Sequence, residues 1–160
     1  MKKLVLSAAC VFIYGFAFAQ SKSFDDLAEA EKVCLGYGLV AKAAGEQRDS
    51  GVEKAQAIEK IIDSSGNKDP AQVAAGRKYV EQAVLLAYSN RALTPWTLHA
   101  LNANLCVIQT RWGMNAQIRE AAIEFAGICQ SQNKEAQMVN SCMKEFVSVM
   151  AASADRAKSK

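Results

Sequence analysis

Four sets of residues in this sequence have types and spacings that could do chemistry. They are a Gly-x-Gly at 36–38, a lone histidine at 99, two carboxylate pairs four residues apart, and the cysteines. The glycines stand in VCLGYGLVAKAAG, residues 33–45. A Gly-x-Gly that cradles phosphate follows a strand, opens a helix and uses a third glycine. Gly36 and Gly38 instead fall inside a stretch of helical apolar spacing, where each costs about 1 kcal/mol against alanine. The nucleotide reading is therefore rejected. The missing side chains would let a second helix come close, and Gly38 shares a helix face with Cys34 and Ala41. A second use would be to floor a small apolar pocket beside Tyr37.

His99 is the only histidine and lies one turn into the helical segment PWTLHALN. As a general base it would need a carboxylate and a nucleophile beside it. As a haem ligand it would need an axial partner, and the chain contains no CxxCH. A single helical histidine reads first as a packed or surface residue. Trp96, in the first turn of the same helix, is either an exposed interface anchor or a locally packed ring. Gly36, Tyr37, Gly38, Trp96 and His99 are thus the candidates for a pocket or an interface.

Glu120 and Glu124, like Glu59 and Asp63, sit four apart on a helix. Such pairs hydrolyse glycosides when one carboxyl is buried and both flank a cleft. At this spacing the simpler reading is a solvated acidic face. There is no HExxH, GxSxG, phosphate loop or EF-hand loop. No catalytic residue, metal ligand or cofactor site is assigned.

The cysteines are read together with the chain's start, MKKLVLSAACVFIYGFAFAQ. Lys2 and Lys3 form a positive region, Leu4 to Phe18 is uncharged, and Ala17-Phe18-Ala19 fits signal peptidase, giving a signal peptide at 1–19. The run is short for a membrane anchor, which needs about 20 apolar residues. Lipidation at Cys10 is disfavoured, because Ser7-Ala8-Ala9-Cys10 lacks the usual leucine. Residues 20–160 remain, 141 in number, as one all-helical domain of a size that buries about 68% of its unfolded-chain surface. The balance becomes 17 basic against 16 acidic residues. Nothing in it calls for nucleic acid, and Arg156, Lys158 and Lys160 read as a solvated tail.

Cleavage leaves Cys34, Cys106, Cys129 and Cys142. An even count in an oxidising compartment reads as two disulfides, and their spacings do not offer zinc-type ligand pairs. Three pairings are open, of which Cys34–Cys106 with Cys129–Cys142 is preferred. With each thiol paired, a catalytic cysteine is not expected.

The elements that must position these residues are helices. The first is expected over about Phe24 to Ala44, capped by Ser23. The second is expected after a capping box of Ser50 and Glu53, ending at Gly66. The third starts at the cap Asp69 with Pro70, and Gln72 at the third position. The fourth starts at Thr94–Pro95, with Leu93 stapling to Leu98, and carries the clearest core seam: Leu98, Leu101, Leu105, Ile108 and Trp112. Gly113 ends it and Asn115 caps the next, in which Ile118, Ala121, Ala122, Phe125 and Cys129 form one face. The last aligns Val139, Cys142, Met143, Phe146, Val147 and Met150. The expected fold is all-α, a compact bundle of about five to six helices stapled by two disulfides.

Cys34, AKAAGEQRDSGV at 41–52, AYSNRALTP at 87–95 and Cys106 together resemble a loose group of small exported proteobacterial helical proteins of unassigned function. The resemblance spans about half of the mature chain. It implies a helical framework and the Cys34–Cys106 pairing, and no activity. Cys129 and Cys142 go beyond it.

The sequence thus points to a periplasmic or secreted protein without a stable membrane span after cleavage. It is expected to act by binding another protein, as a stress chaperone or as an immunity protein that neutralises a toxin. A small apolar-ligand carrier is the alternative, with a cell-wall hydrolase behind it. The oligomeric state is left open.

Overall fold

The computed structural model describes the backbone of residues 26–158 and the side chains of residues 31–153. The leader at 1–19, Cys10 and the Ser23 cap lie outside the described residues. Six helices follow in order: α1 (Asp26–Asp49), α2 (Lys54–Ser64), α3 (Pro70–Ser89), α4 (Pro95–Trp112), α5 (Ala116–Gln132) and α6 (Ala136–Lys158). Both disulfides form as preferred, Cys34–Cys106 and Cys129–Cys142.

α4 is the spine. α1, α3, α5 and α6 all pack on it, while α2 lies against α1 and α3. Its seam residues Leu98, Leu101, Leu105 and Ile108 are buried, and Trp112 is half-buried at the helix end. The core also takes Val40 and Ala44 from α1, Ile61 from α2, and Val80, Ala83 and Val84 from α3. Ala122 and Ala126 of α5 and Val139 and Met143 of α6 complete it. Burial of such side chains is the main favourable term, about 1.5–3 kcal/mol for each large one.

Most helix starts follow local rules. The Asp69 carboxylate accepts from the Ala71 N–H, with Pro70 at the first helical position. Thr94 Oγ1 accepts from the Thr97 N–H, and Asn115 Oδ1 from the Ile118 N–H. Gln72 does not complete a capping box with Asp69. Its side-chain oxygen takes Asn67 Nδ2 instead, while Asn67 Oδ1 accepts the Asp69 N–H.

Two expectations are corrected. α1 does not stop near Ala44 but runs on to Asp49. Gly45 is a point of close approach rather than a stop: a Cβ there would lie 2.8 Å from Leu98 Cδ1 and 3.1 Å from Pro95 Cα. Nor does Ser50 cap α2. Glu53 holds that position without a side-chain bond. The serine closes α1, its hydroxyl and its N–H both donating to Glu46 O. Gly51, at φ +75°, then donates to Arg48 O, and Val52 donates to Gln47 O. This is the paired-bond helix stop that a left-handed glycine permits.

The stop places Arg48 where it joins three elements. Its side chain is only 7% exposed. Nη1 donates to Ala87 O and Asn90 O at the end of α3, and Nη2 to Leu93 O just before α4, at 2.8–3.1 Å. Tyr88 donates its hydroxyl to Val52 O. From the other side Gln130 of α5 accepts the Thr94 N–H and donates to Ala92 O. The stretches 41–52 and 87–95 therefore meet in space, and a guanidinium fork holds carbonyls at the end of α3 and in the turn before α4.

Candidate functional site

α1 and α4 run antiparallel. Three contacts fix the register: Gly45 against Pro95 and Leu98, Gly38 against His99 and Ala103, and Cys34 bonded to Cys106. A Cβ on Gly38 would stand 2.8 Å from the His99 carbonyl oxygen and 3.1 Å from His99 Cδ2 and Ala103 Cβ. Cys34, Gly38, Ala41 and Gly45 form the inward stripe of α1, and small side chains there let the backbones close in. That approach brings the bridged Cα atoms to 5.4 Å, within disulfide reach.

The close crossing turns the next stripe of α1 outward beside α4. Leu35 and Leu39, one turn apart, are 49% and 41% exposed. Lys42 continues the stripe. Its ammonium lies 4.7 Å from the centroid of the Trp96 ring and pairs with Glu46. Trp96 is 50% exposed. The edge of its ring meets His99, with centroids 5.7 Å apart and planes at 66°. At the far end of α1, Glu31 faces Arg111 of α4 at 3.5 Å. The result is an apolar strip of Leu35, Leu39 and Trp96, with His99 half-buried beneath it and a charge pair at either end.

The five residues singled out in the sequence do not all meet. Trp96, His99 and Gly38 come together at the crossing. The space beside Gly38 is filled by the His99 ring and carbonyl and by Ala103. Tyr37, 100° further round α1, turns to α3 and stacks on Tyr79 with centroids 4.9 Å apart. Burial and the neighbouring Tyr79 hydroxyl push the Tyr37 phenol well above the usual range. Asn102 donates to Tyr37 O and ties this turn of α1 to α4. Gly36 is half-buried on yet another side of α1.

His99 is held in its neutral form: burial, and then the Lys42 ammonium, push its pKa below 6.5. Nothing in the sequence pointed to Lys42, Leu35 or Leu39 as companions of Trp96. The one available signal was their spacing, which leaves an i, i+4, i+7 stripe of Leu, Leu and Lys beside the small-residue stripe.

Of the carboxylates, Glu120 and Glu124 are both exposed on α5. Glu59 is bound by both terminal nitrogens of Arg77 at 2.7 and 2.9 Å, and that guanidinium lowers its pKa. Among the described residues no three His, Cys, Asp or Glu side chains gather as a metal site, and no helix is long and apolar enough to cross a membrane. Comparison with protein-family models, curated proteins and solved structures finds no match.

Proposed function

We propose that this chain is an exported, non-enzymatic protein that holds one folded protein partner on the α1–α4 strip. The observation that carries the reading is the strip itself. It places two leucines of α1 and a tryptophan of α4, each about half exposed, on two helices that a disulfide locks in register, with Lys42 of the leucines' stripe over the tryptophan ring. Single exposed leucines are ordinary. Exposed leucines on one stripe with an aromatic anchor and charge pairs toward its ends have the anatomy of an interface core with a polar rim. Rigidity lowers the cost of ordering such a surface on binding.

That rigidity favours a neutralising, immunity-type role over a stress chaperone. A chaperone that exposes apolar surface on demand needs a loose structure. Here the apolar strip is presented by the folded state, along the α1–α4 crossing that Gly38 and Gly45 hold close. Export follows from the signal-type leader, and the two disulfides support it, since such bonds persist in oxidising compartments.

The test is capture by the immobilised, disulfide-bonded protein from a periplasmic extract, and co-expression with a growth-arresting product of an adjacent gene. The wild type is expected to retain one protein and to relieve the arrest. Trp96→Asp with Leu39→Asp, its helical circular dichroism unchanged, is expected to do neither. Equal retention by both forms would refute the assignment of the face.

A further inference from the structure

The lone histidine sits beneath the proposed docking strip, and its surroundings are lopsided in charge. The α4 segment 95–105 carries no charged residue besides His99 itself. On α1, Lys42 is the charged group that acts on the imidazole, and it brings Glu46, paired to its ammonium. The α1 residue packed against the imidazole is Gly38, close enough that a Cβ there would stand 3.1 Å from His99 Cδ2, and it brings no charge to that side. Above the ring stands Trp96, with the Lys42 ammonium over its face.

Resting on the docking role of this face, we propose that His99 makes the face acid-sensitive: a proton taken up by its imidazole sets a second cation against Lys42 and weakens the hold of the strip on its partner. A partner seated on Trp96 and Leu39 removes further water from His99, and burial penalises the charged ring. The complex therefore binds the proton less readily than the free protein. Linkage then requires that affinity fall as pH drops through the interval between the two titrations, by up to about tenfold per pH unit. Protonation also opposes the Lys42 ammonium through partly apolar surroundings, where screening is weak. Lys42, already paired to Glu46, is expected to lift from Trp96 toward solvent. No bond is made or broken; the switch is one proton and one rotamer.

Because His99 is the only histidine, its ring protons can be followed by NMR without ambiguity in the full, untagged, disulfide-bonded protein. The expected result is a single titration with its midpoint below 6.5. The Trp96 indole signal, identified by its survival in Trp112→Phe, should move with the same midpoint. Lys42→Met should raise the midpoint, and His99→Gln should leave the Trp96 signal flat between pH 7.5 and 5. A His99 midpoint at or above 6.5, or a Trp96 signal that ignores it, overturns the proposal. No partner is needed for these measurements, so failure of the docking role would show separately, as capture that Trp96→Asp does not change. Where capture succeeds, a step from pH 7.5 to 5.5 should elute the retained protein from wild type and not from His99→Gln.

Discussion

Replacing Gly38 with alanine tests the close crossing most directly. Ordinary Cβ contacts begin at 3.4 Å, whereas the new methyl would lie 2.8 Å from the His99 carbonyl oxygen and 3.1 Å from both Ala103 Cβ and His99 Cδ2. The oxygen is main chain and cannot turn away. The helices cannot part freely either, because Cys34, one turn along α1, is bonded to Cys106. Overpacking of this kind costs about 1–3 kcal/mol. Against that, alanine returns about 1 kcal/mol of helix propensity over glycine. The net expectation is a loss of up to about 2 kcal/mol, which at a urea slope of about 2 kcal/mol/M lowers the midpoint by up to about 1 M. Gly127, inside α5, is the control, since a Cβ there meets nothing within 4 Å. Gly127→Ala should stabilise by up to about 1 kcal/mol. Urea unfolding by circular dichroism with disulfides intact decides the matter. If Gly38→Ala raises the midpoint as Gly127→Ala does, the crossing is looser than described and the reasoning fails.

Other expectations follow from the same packing. Arg48→Met leaves the carbonyls of Ala87, Asn90 and Leu93 without their guanidinium, and should cost about 2–4 kcal/mol in urea unfolding; Arg48→Lys should recover little, since an ammonium cannot match the fork. Breaking Cys34–Cys106, at a sequence separation of 72, should cost more than breaking Cys129–Cys142, at 13. Chain entropy gives about 4.4 against about 2.9 kcal/mol, and paired Cys→Ser variants compared by thermal melting would reverse that order if the constraint were not entropic. His99 should make stability fall as pH drops: its folded pKa lies below 6.5, so between that value and the lower one the unfolded chain binds the proton more readily. This component should vanish in His99→Gln when urea midpoints are compared from pH 7.5 to 5. The Glu59–Arg77 pair acts in a separate window. The carboxyl's pKa is lowered from 4.5, so that contribution is present above 4.5 and lost as pH falls further.

How far the sequence could be read depended on the range of the interaction involved. Asp69, Thr94 and Asn115 were legible as caps because a cap bonds two or three residues ahead, within a window the sequence displays. The α4 seam was legible for the same reason, its period lying within one helix. Ser50 and Glu53 show where local reading fails. Their types and spacing satisfy a capping box, yet Gly51 at positive φ makes Ser50 part of the stop of α1 and leaves Glu53 alone at the start of α2. One glycine decides between the two, and only the path of the chain reveals which way. The end of α1 was misplaced as well: the helix passes the expected limit at Ala44 and runs to Asp49, with Gly45 in contact with Pro95 and Leu98. Arg48 was invisible as a clamp, since its three carbonyls lie 39 to 45 residues away. The proposed docking strip was half legible for the same reason. Trp96 and His99 stand out by type, but Leu35, Leu39 and Lys42 acquire meaning only when α4 is laid along α1 in the register that Gly38 and the Cys34–Cys106 bond impose. A surface assembled from two helices whose residues lie 54 to 61 positions apart has no local signature. The glycine pattern that first suggested a phosphate loop was the nearest approach to one: Gly38 marks the place where α4 comes in, and Trp96 and Lys42 lie beside it.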